Sequence, residues 1–282
     1  MGNIIWLASY QKSGNTWLRA FLHHIFADAA APLPLEKTRG GEVSASASSL
    51  HWYQALDRRP PTQWTSAEIA RMRPQVQKAI AASRRGSVFC KTHMPLMMIH
   101  GVPTIEMSVT AGALYIVRDP RDVALSFADF HGIGVDAAIA SMATPNLEVP
   151  AGERQVAEPM GSWSQHVKSW TGRPSPAIHV VRYEDLHADP HRAFGAITAF
   201  LRLDASPERI ARAIEHTSFA TMRAQEDRDG FDERSPAQER FFRRGVAGGW
   251  RDSLTPEQAR RIEIDHGEQM ARFGYLAKGA GA

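Results

Sequence analysis

Ile4-Ile5-Trp6-Leu7-Ala8-Ser9-Tyr10-Gln11-Lys12-Ser13-Gly14-Asn15-Thr16-Trp17 decides the fold class. The run Ile4 to Ala8 is short and apolar, as a strand buried inside a sheet requires. Ser9 to Asn15 breaks it with a polar loop containing Gly14. From Thr16 the period changes. Trp17, Phe21 and Ile25 recur at a spacing of four, as do Leu18, Leu22 and Phe26, and this predicts a helix. The chain therefore opens as strand, polar loop, helix. A loop entering a helix N-terminus presents unpaired N–H groups and the positive end of the helix dipole, and so favours an anion. Lys12 adds a full charge, and Ser13 and Thr16 add hydroxyls. A polar turn capped by Thr16 fits the same residues. The loop is P-loop-like, but its one glycine follows the Lys-Ser pair, unlike the triphosphate cradle G-x-x-x-x-G-K-[ST].

The same alternation recurs downstream. Ser87 to Cys90 predicts a second strand ending at Lys91-Thr92-His93. Ala113 to Val117 predicts a third ending at Arg118, and Ile178 to Arg182 a fourth. Cap chemistry announces the helices between them. Thr65-x-x-Glu68 is a capping box before the stripe Ile69, Met72, Val76 and Ile80. Asp119-Pro120 opens a helix through Phe130, and Pro159 to Gly172 reads as helical. Asp189-Pro190, Ser206-Pro207 and Thr255-Pro256-Glu257-Gln258 open three more. Residues 132–158 read as a loop or lid, and so does the charged stretch Arg223 to Arg240. Ser44 to Ser49 is a low-complexity patch. The expected fold is α/β: a single domain over residues 1–282 with a central parallel sheet flanked by helices. Ligands of such sheets bind beyond the carboxyl ends of the strands. Lys12-Ser13-Gly14, Lys91-Thr92-His93 and Arg118 all fall there.

Composition narrows the function classes. Of 282 residues, 43% are apolar and 22% charged, which excludes a disordered chain. The net charge of +3 excludes a polybasic nucleic-acid binder. No apolar run approaches the roughly 20 residues of a membrane span. The first apolar run lacks the basic leader of a signal peptide. Met1-Gly2 hints at myristoylation, but Trp6 stands where Ser or Thr is needed. The single cysteine, Cys90, excludes an internal disulfide and a multi-Cys metal site, and a reducing cytoplasm is the expected home.

His93 has the residue type of a general base near neutral pH, although a surface histidine fits too. Cys90 continues the run Val88-Phe89 and reads as a buried strand thiol rather than a nucleophile. Arg118 and Ser126 lie eight apart across a capped helix start and could flank one anion. Arg243-Arg244-Gly245 reads either as a guanidinium clamp or as a solvated charge run.

At these residues the chain resembles the cytosolic-type sulfotransferases. Tyr10 to Trp17 resembles their 5′-phosphosulfate loop, Arg118 to Ser126 their 3′-phosphate motif, and Lys91-Thr92-His93 their catalytic Lys-Thr-His. Gly161-Ser162-Trp163 with His166-Val167-Lys168, Arg182 to Leu186, Thr217-Ser218-Phe219, and Phe241 to Gly245 with Gly248 to Arg251 are similar to family segments in the same order. The resemblance spans about residues 5 to 275 and implies a donor, 3′-phosphoadenosine 5′-phosphosulfate (PAPS), with 3′-phosphoadenosine 5′-phosphate (PAP) as product and no metal.

By matching position, Lys12, Ser13, Gly14, Asn15, Thr16 and Trp17 would hold the 5′-phosphosulfate. Arg118, Ser126, Arg243, Arg244 and Gly245 would hold the 3′-phosphate. Trp17 and Phe219 would sandwich adenine, with Tyr183, Thr217, Ser218 and Phe242 also on the nucleotide. His93 would act as base, Lys12 would stabilise the leaving phosphate, and Lys91 would assist. Phe130, Phe127 and His131 are expected acceptor contacts, and 28–65 and 131–160 acceptor-side insertions or lids. The acceptor would be a hydroxyl or amine on a small molecule, glycan or peptide.

Departures from the family pattern are Gln11 for Pro, Asn15 for Thr, and Gly249 where many animal members have Asp. Arg251, Thr255, Pro256 and Arg260 stand where the dimer motif Lys-x-x-x-Thr-Val-x-x-x-Glu would be. A homodimer, if formed, would use another surface. The alternatives are a nucleoside-triphosphate-dependent small-molecule kinase on a related fold and a nucleotide-binding protein without chemistry.

Overall fold

The computed structural model describes residues 3–36 and 45–276. Met1-Gly2, Ser44 and the middle of the 28–65 segment lie outside them. The chain runs β1 (Asn3–Ser9), α1 (Asn15–Ala27), β2 (Ala45–Ser46), α2 (Leu50–Gln54), α3 (Ser66–Ala82), β3 (Ser87–Thr92), β4 (Met98–Ile99), β5 (Val102–Pro103) and β6 (Thr110–Val117). It continues α4 (Pro120–His131), α5 (Val135–Ala143), β7 (Glu148–Val149), β8 (Glu158–Pro159), α6 (Trp163–Thr171), β9 (Ile178–Arg182) and α7 (Tyr183–Ala188). Then follow α8 (Pro190–Phe200), α9 (Pro207–His216), α10 (Phe219–Asp229) and α11 (Pro256–Arg272). Five strands form one parallel sheet in the order β2-β3-β1-β6-β9.

Side chains of a strand alternate between faces, and that alternation builds two cores. Ile4, Trp6 and Ala8 of β1, with Val88, Cys90, Ala113 and Tyr115, pack against α3, α4, α5, α6 and α11. Leu7 of β1, with Phe89, Leu114, Ile116 and Val181, packs against α1, α8 and α9. The sheet is thus covered on both faces, and all its strands point their carboxyl ends the same way.

Several boundaries differ from expectation. β3 continues through Thr92, so Lys91 lies within the strand, in register with Leu7 of β1. Residues 132–158 are not a bare loop. Val135–Ala143 forms α5 and buries Ala138, Ile139 and Met142; its alanine-rich sequence gives little polar contrast to reveal a period. α6 starts at Trp163, not Pro159, because Ser162 and Gln165 form a capping box there while Glu158–Pro159 pairs with Glu148–Val149. Arg223 to Asp229 is the end of α10, capped by Ser218, so only the rest of the Arg223–Arg240 stretch is loop.

Candidate functional site

A cavity of about 1600 Å³ opens at the carboxyl ends of the strands. Its floor is the loop after β1. Lys12 adopts φ 64° and Gly14 φ 105°, both left-handed. A Cβ on Gly14 would come within 2.6 Å of the Tyr183 ring, so the loop passes the ring only as glycine. Buried Ser13 Oγ and Trp17 Nε1 have no hydrogen-bond partner among the described residues, and buried donors of this kind want one. Asn15 Nδ2 donates to Leu7 O (2.9 Å) and Ser9 Oγ (3.3 Å), tying the first turn of α1 back to β1.

Beyond β3, His93 is fixed on three sides. Its Nδ1 lies 2.8 Å from Ser9 O, which can only accept, so Nδ1 carries the proton and Nε2 the lone pair. Its backbone N–H donates to Glu158 Oε1 at 3.0 Å. Its carbonyl accepts from His166 Nε2 at 3.0 Å, and Tyr115 Oη donates to His166 Nδ1 at 2.8 Å. Burial brings His166 down to about 3, so this imidazole is neutral. α6 also grips the following residues: Trp170 Nε1 donates to Met94 O (2.9 Å), and Ser169 Oγ accepts from Leu96 N (3.0 Å). Burial and then Lys91 hold His93 well below the ordinary imidazole range, so it is neutral too. Burial raises the Glu158 carboxyl, against the His93 N–H and Lys91.

Lys12 Nζ lies 4.2 Å from the ring centres of both Phe130 and Phe241. Beside the loop, Arg118 Nη1 donates to Lys12 O at 3.1 Å, and the guanidinium covers the Tyr183 ring at 4.2 Å. Asp122 accepts from Gly248 N (2.6 Å) and Trp250 N (2.9 Å), which fastens the Arg243-Arg244-Gly245 segment to α4. A Cβ on Gly245, at φ 62°, would meet the Phe219 ring at 2.1 Å. Arg244 is exposed and donates to Ser253 Oγ at 2.7 Å.

Lys12, Gly14, Asn15, Thr16, Trp17, Lys91, His93, Arg118, Ser126, Phe130, His131, Tyr183, Ser218, Phe219, Phe242, Arg243, Arg244 and Gly245 share the cavity wall. Ser13, Thr217 and Phe127 do not. Ser13 is buried in the loop itself. Thr217 donates its hydroxyl to Ala213 O (2.7 Å) at the end of α9, so it faces away from the cavity. Phe127 packs in the core, 4.2 Å from the His131 ring. Glu158, Arg19 and Glu233 were not singled out from the sequence. Glu158 reaches His93 across 65 residues, and Glu233 reaches Arg19 and Thr16 across 214 and 217; no local signal reports such pairs. Cys90 is buried, and burial, followed by Glu158, pushes its thiol up, as a strand thiol requires and a nucleophile does not.

Residues 3–274 match the family model described as the sulfotransferase domain. The chain belongs to the sulfotransferase family. It is 25% identical to dog sulfotransferase 1A1 over 276 residues, covering 95% of this chain and 83% of that one. It is likewise 25% identical to human sulfotransferase 1E1 over 275 residues, covering 94% and 82%. Mouse sulfotransferase SULT7A1 complexed with PAP superposes with a TM-score of 0.60 at 22% identity, covering 95% of this chain and 84% of that one. Retinol dehydratase in a complex with retinol and PAP gives 0.63 at 21%, covering 95% and 81%. These two likenesses show the sulfotransferase fold. As a family member the chain is an enzyme of sulfuryl transfer, and the kinase alternative is not supported. Among the described residues no single helix is long and apolar enough to cross a membrane, and no group of three His, Cys, Asp or Glu could hold a metal ion.

Proposed function

We propose that this sulfotransferase takes its sulfuryl group from PAPS and passes it to an acceptor hydroxyl or amine, with His93 as base. The observation that carries this is the His93 imidazole. It is neutral, its Nδ1 proton is committed to Ser9 O, and its Nε2 lone pair remains at the end of β3 in the same cavity as Lys12 and Lys91. A base must have its lone pair available at working pH.

Two separated cationic regions suit the two separated anions of the donor. Lys12 and the first turn of α1 face the 5′ group, and the Ser13 hydroxyl, buried in the loop without a partner among the described residues, would join them only by turning outward. Arg118, Ser126, Arg243 and Arg244 face the 3′-phosphate. Trp17 and Phe219 offer aromatic faces to a purine. Thr217 Oγ1, its proton given to Ala213 O, would serve the nucleotide only as an acceptor. In-line transfer resembles phosphoryl transfer, where positioning and charge neutralisation dominate. Lys12 neutralises charge on the leaving phosphate, Lys91 faces the sulfuryl oxygens, and His93 Nε2 takes the acceptor proton.

Acceptor contacts fall to Phe130 and His131 and to the walls built by 45–54 and 147–156. Leu50 N to Arg154 O (2.9 Å) and Val156 N to Ser48 O (2.9 Å) join those walls. We assign the whole chain, 1–282, to one domain, working in the cytoplasm on a small molecule, glycan or peptide. The Arg in place of the closing acid, Arg260, argues against dimerisation through the family motif.

The test is a pair of measurements. PAP should raise Tm where ATP–Mg²⁺ does not, and labelled PAPS should deliver sulfate to members of a panel of hydroxylated small molecules, glycans and peptides. Stabilisation by ATP–Mg²⁺ alone would overturn the reading.

A further inference from the structure

Arg19 is a buried cation on the cavity wall, with its side chain 2% exposed, and none of the motifs includes it. It lies on α1, one turn past Asn15. Its Nε donates to Asn15 Oδ1 at 3.1 Å, and its Nη2 to Thr16 Oγ1 at 3.1 Å and Glu233 Oε2 at 2.7 Å. The Thr16 hydroxyl donates to the same Glu233 oxygen at 3.3 Å. One carboxylate oxygen from the loop after α10 is therefore held by a guanidinium and a hydroxyl at the first turn of α1. That turn is where unpaired N–H groups and the helix dipole favour an anion. Arg19 also reaches the transfer site electrostatically. After burial, Lys91 and other groups, its charge contributes to holding His93 below its ordinary range.

We propose that Arg19 is a further donor-binding cation, and that an oxygen of the donor's 5′ group replaces the Glu233 carboxylate on Arg19 and Thr16. This rests on the reading that the loop Lys12 to Trp17 receives the 5′ anion. Thr16 Oγ1 has one proton to give, and Arg19 already donates to its oxygen. The hydroxyl can serve Glu233 or a donor oxygen, not both. Two anions on one helix turn also repel each other. Asn15 Oδ1 holds Arg19 Nε, so the guanidinium stays in place while its acceptor changes. No covalent bond forms or breaks in this exchange.

The test is PAP titration by calorimetry on the full chain. Glu233→Gln removes the competing charge but keeps the shape, and should tighten PAP by about threefold to tenfold. Asp232→Asn removes the neighbouring charge, which pairs with Arg154 at 3.2 Å, and should shift affinity less than about twofold. Arg19→Gln should weaken PAP by about tenfold. If Arg19→Gln fails to fold, the sign of the Glu233→Gln effect decides alone, measured with Lys12→Arg in place because Glu233 also supports the Lys12 ammonium. Unchanged or weaker binding by Glu233→Gln would overturn the exchange. So would equal tightening by Asp232→Asn, since that would reflect a general field. Failure of the unaltered chain to bind PAP would instead overturn the donor reading beneath it.

Discussion

Raising the pH should weaken donor binding through Lys12. Its ammonium lies between Phe130 and Phe241, whose faces favour the cation. Burial outweighs that, and Lys91 adds repulsion. Glu233 and Asp129 act in the other sense, Arg118 repels further, and the side chain comes down to about 7. A bound anion favours the ammonium and returns Lys12 towards its ordinary range. The group's affinity for protons is thus lower before binding than after, so binding takes up a proton and weakens as pH rises. At pH 9 about 1% of the free chain carries the ammonium, against about half at pH 7. PAP affinity should fall about 50-fold between those pH values, or about 2 kcal/mol. The phosphates of PAP, with second ionisations near about pH 6, are already ionised over most of this window. The assay is calorimetry in two buffers of different ionisation enthalpy, which counts protons directly. Close to one proton should enter per PAP at pH 9, and Lys12→Arg should abolish the effect. Flat affinity with no proton uptake would refute the reasoning.

Four further outcomes follow from the same geometry. His93→Ala should lower kcat by about 10²–10⁴ while PAP affinity changes little; near-normal turnover on the true acceptor would remove the base assignment. Glu158→Val should lower kcat with PAP affinity kept, and Glu158→Gln, which still accepts the His93 N–H, should recover most of it; equal loss in both would make the charge, not the hydrogen bond, the active feature. Gly245→Ala should cost about tenfold or more in PAP affinity, because its Cβ displaces the Phe219 ring; unchanged affinity by calorimetry would show the ring is not part of the purine slot. Phe130→Ala should raise acceptor KM and, by admitting water to Lys12, move the alkaline loss of PAP affinity to higher pH; a change in Tm alone would mean the ring only packs.

Four of the five sheet strands and most helix starts were legible because their signals are local; β2, Ala45–Ser46, is two residues long and carries no apolar run. Ile4 to Ala8 needs only its own apolar run. The boxes at Thr65 and Thr255 and the Asp119-Pro120, Asp189-Pro190 and Ser206-Pro207 caps all form as expected, within a few residues. α10 was missed because it buries only Met222, Gln225 and Glu226 and carries no apolar stripe. At the site, the strand-end residues were legible for the same local reason. What was not legible is what orients them. Glu158 reaches His93 across 65 residues, and Glu233 reaches Arg19 across 214. The shielding of Lys12 depends on two rings from distant segments. The side-chain direction of Thr217 depends on how α9 ends, which no motif encodes.

Cys90 sits in β3 between β1 and β2, opposite Trp6 on one side and Ala45 on the other. It is the chain's single cysteine and is fully covered. A thiol reagent reaches it only when the sheet or the helices packed over that face open, so labelling counts openings of this core rather than surface accidents. The protein therefore carries its own clock. The labelling half-life, read by mass in an unpurified extract, reports how far any added compound holds this core closed. Candidate acceptors and nucleotides can be ranked that way before a turnover assay exists.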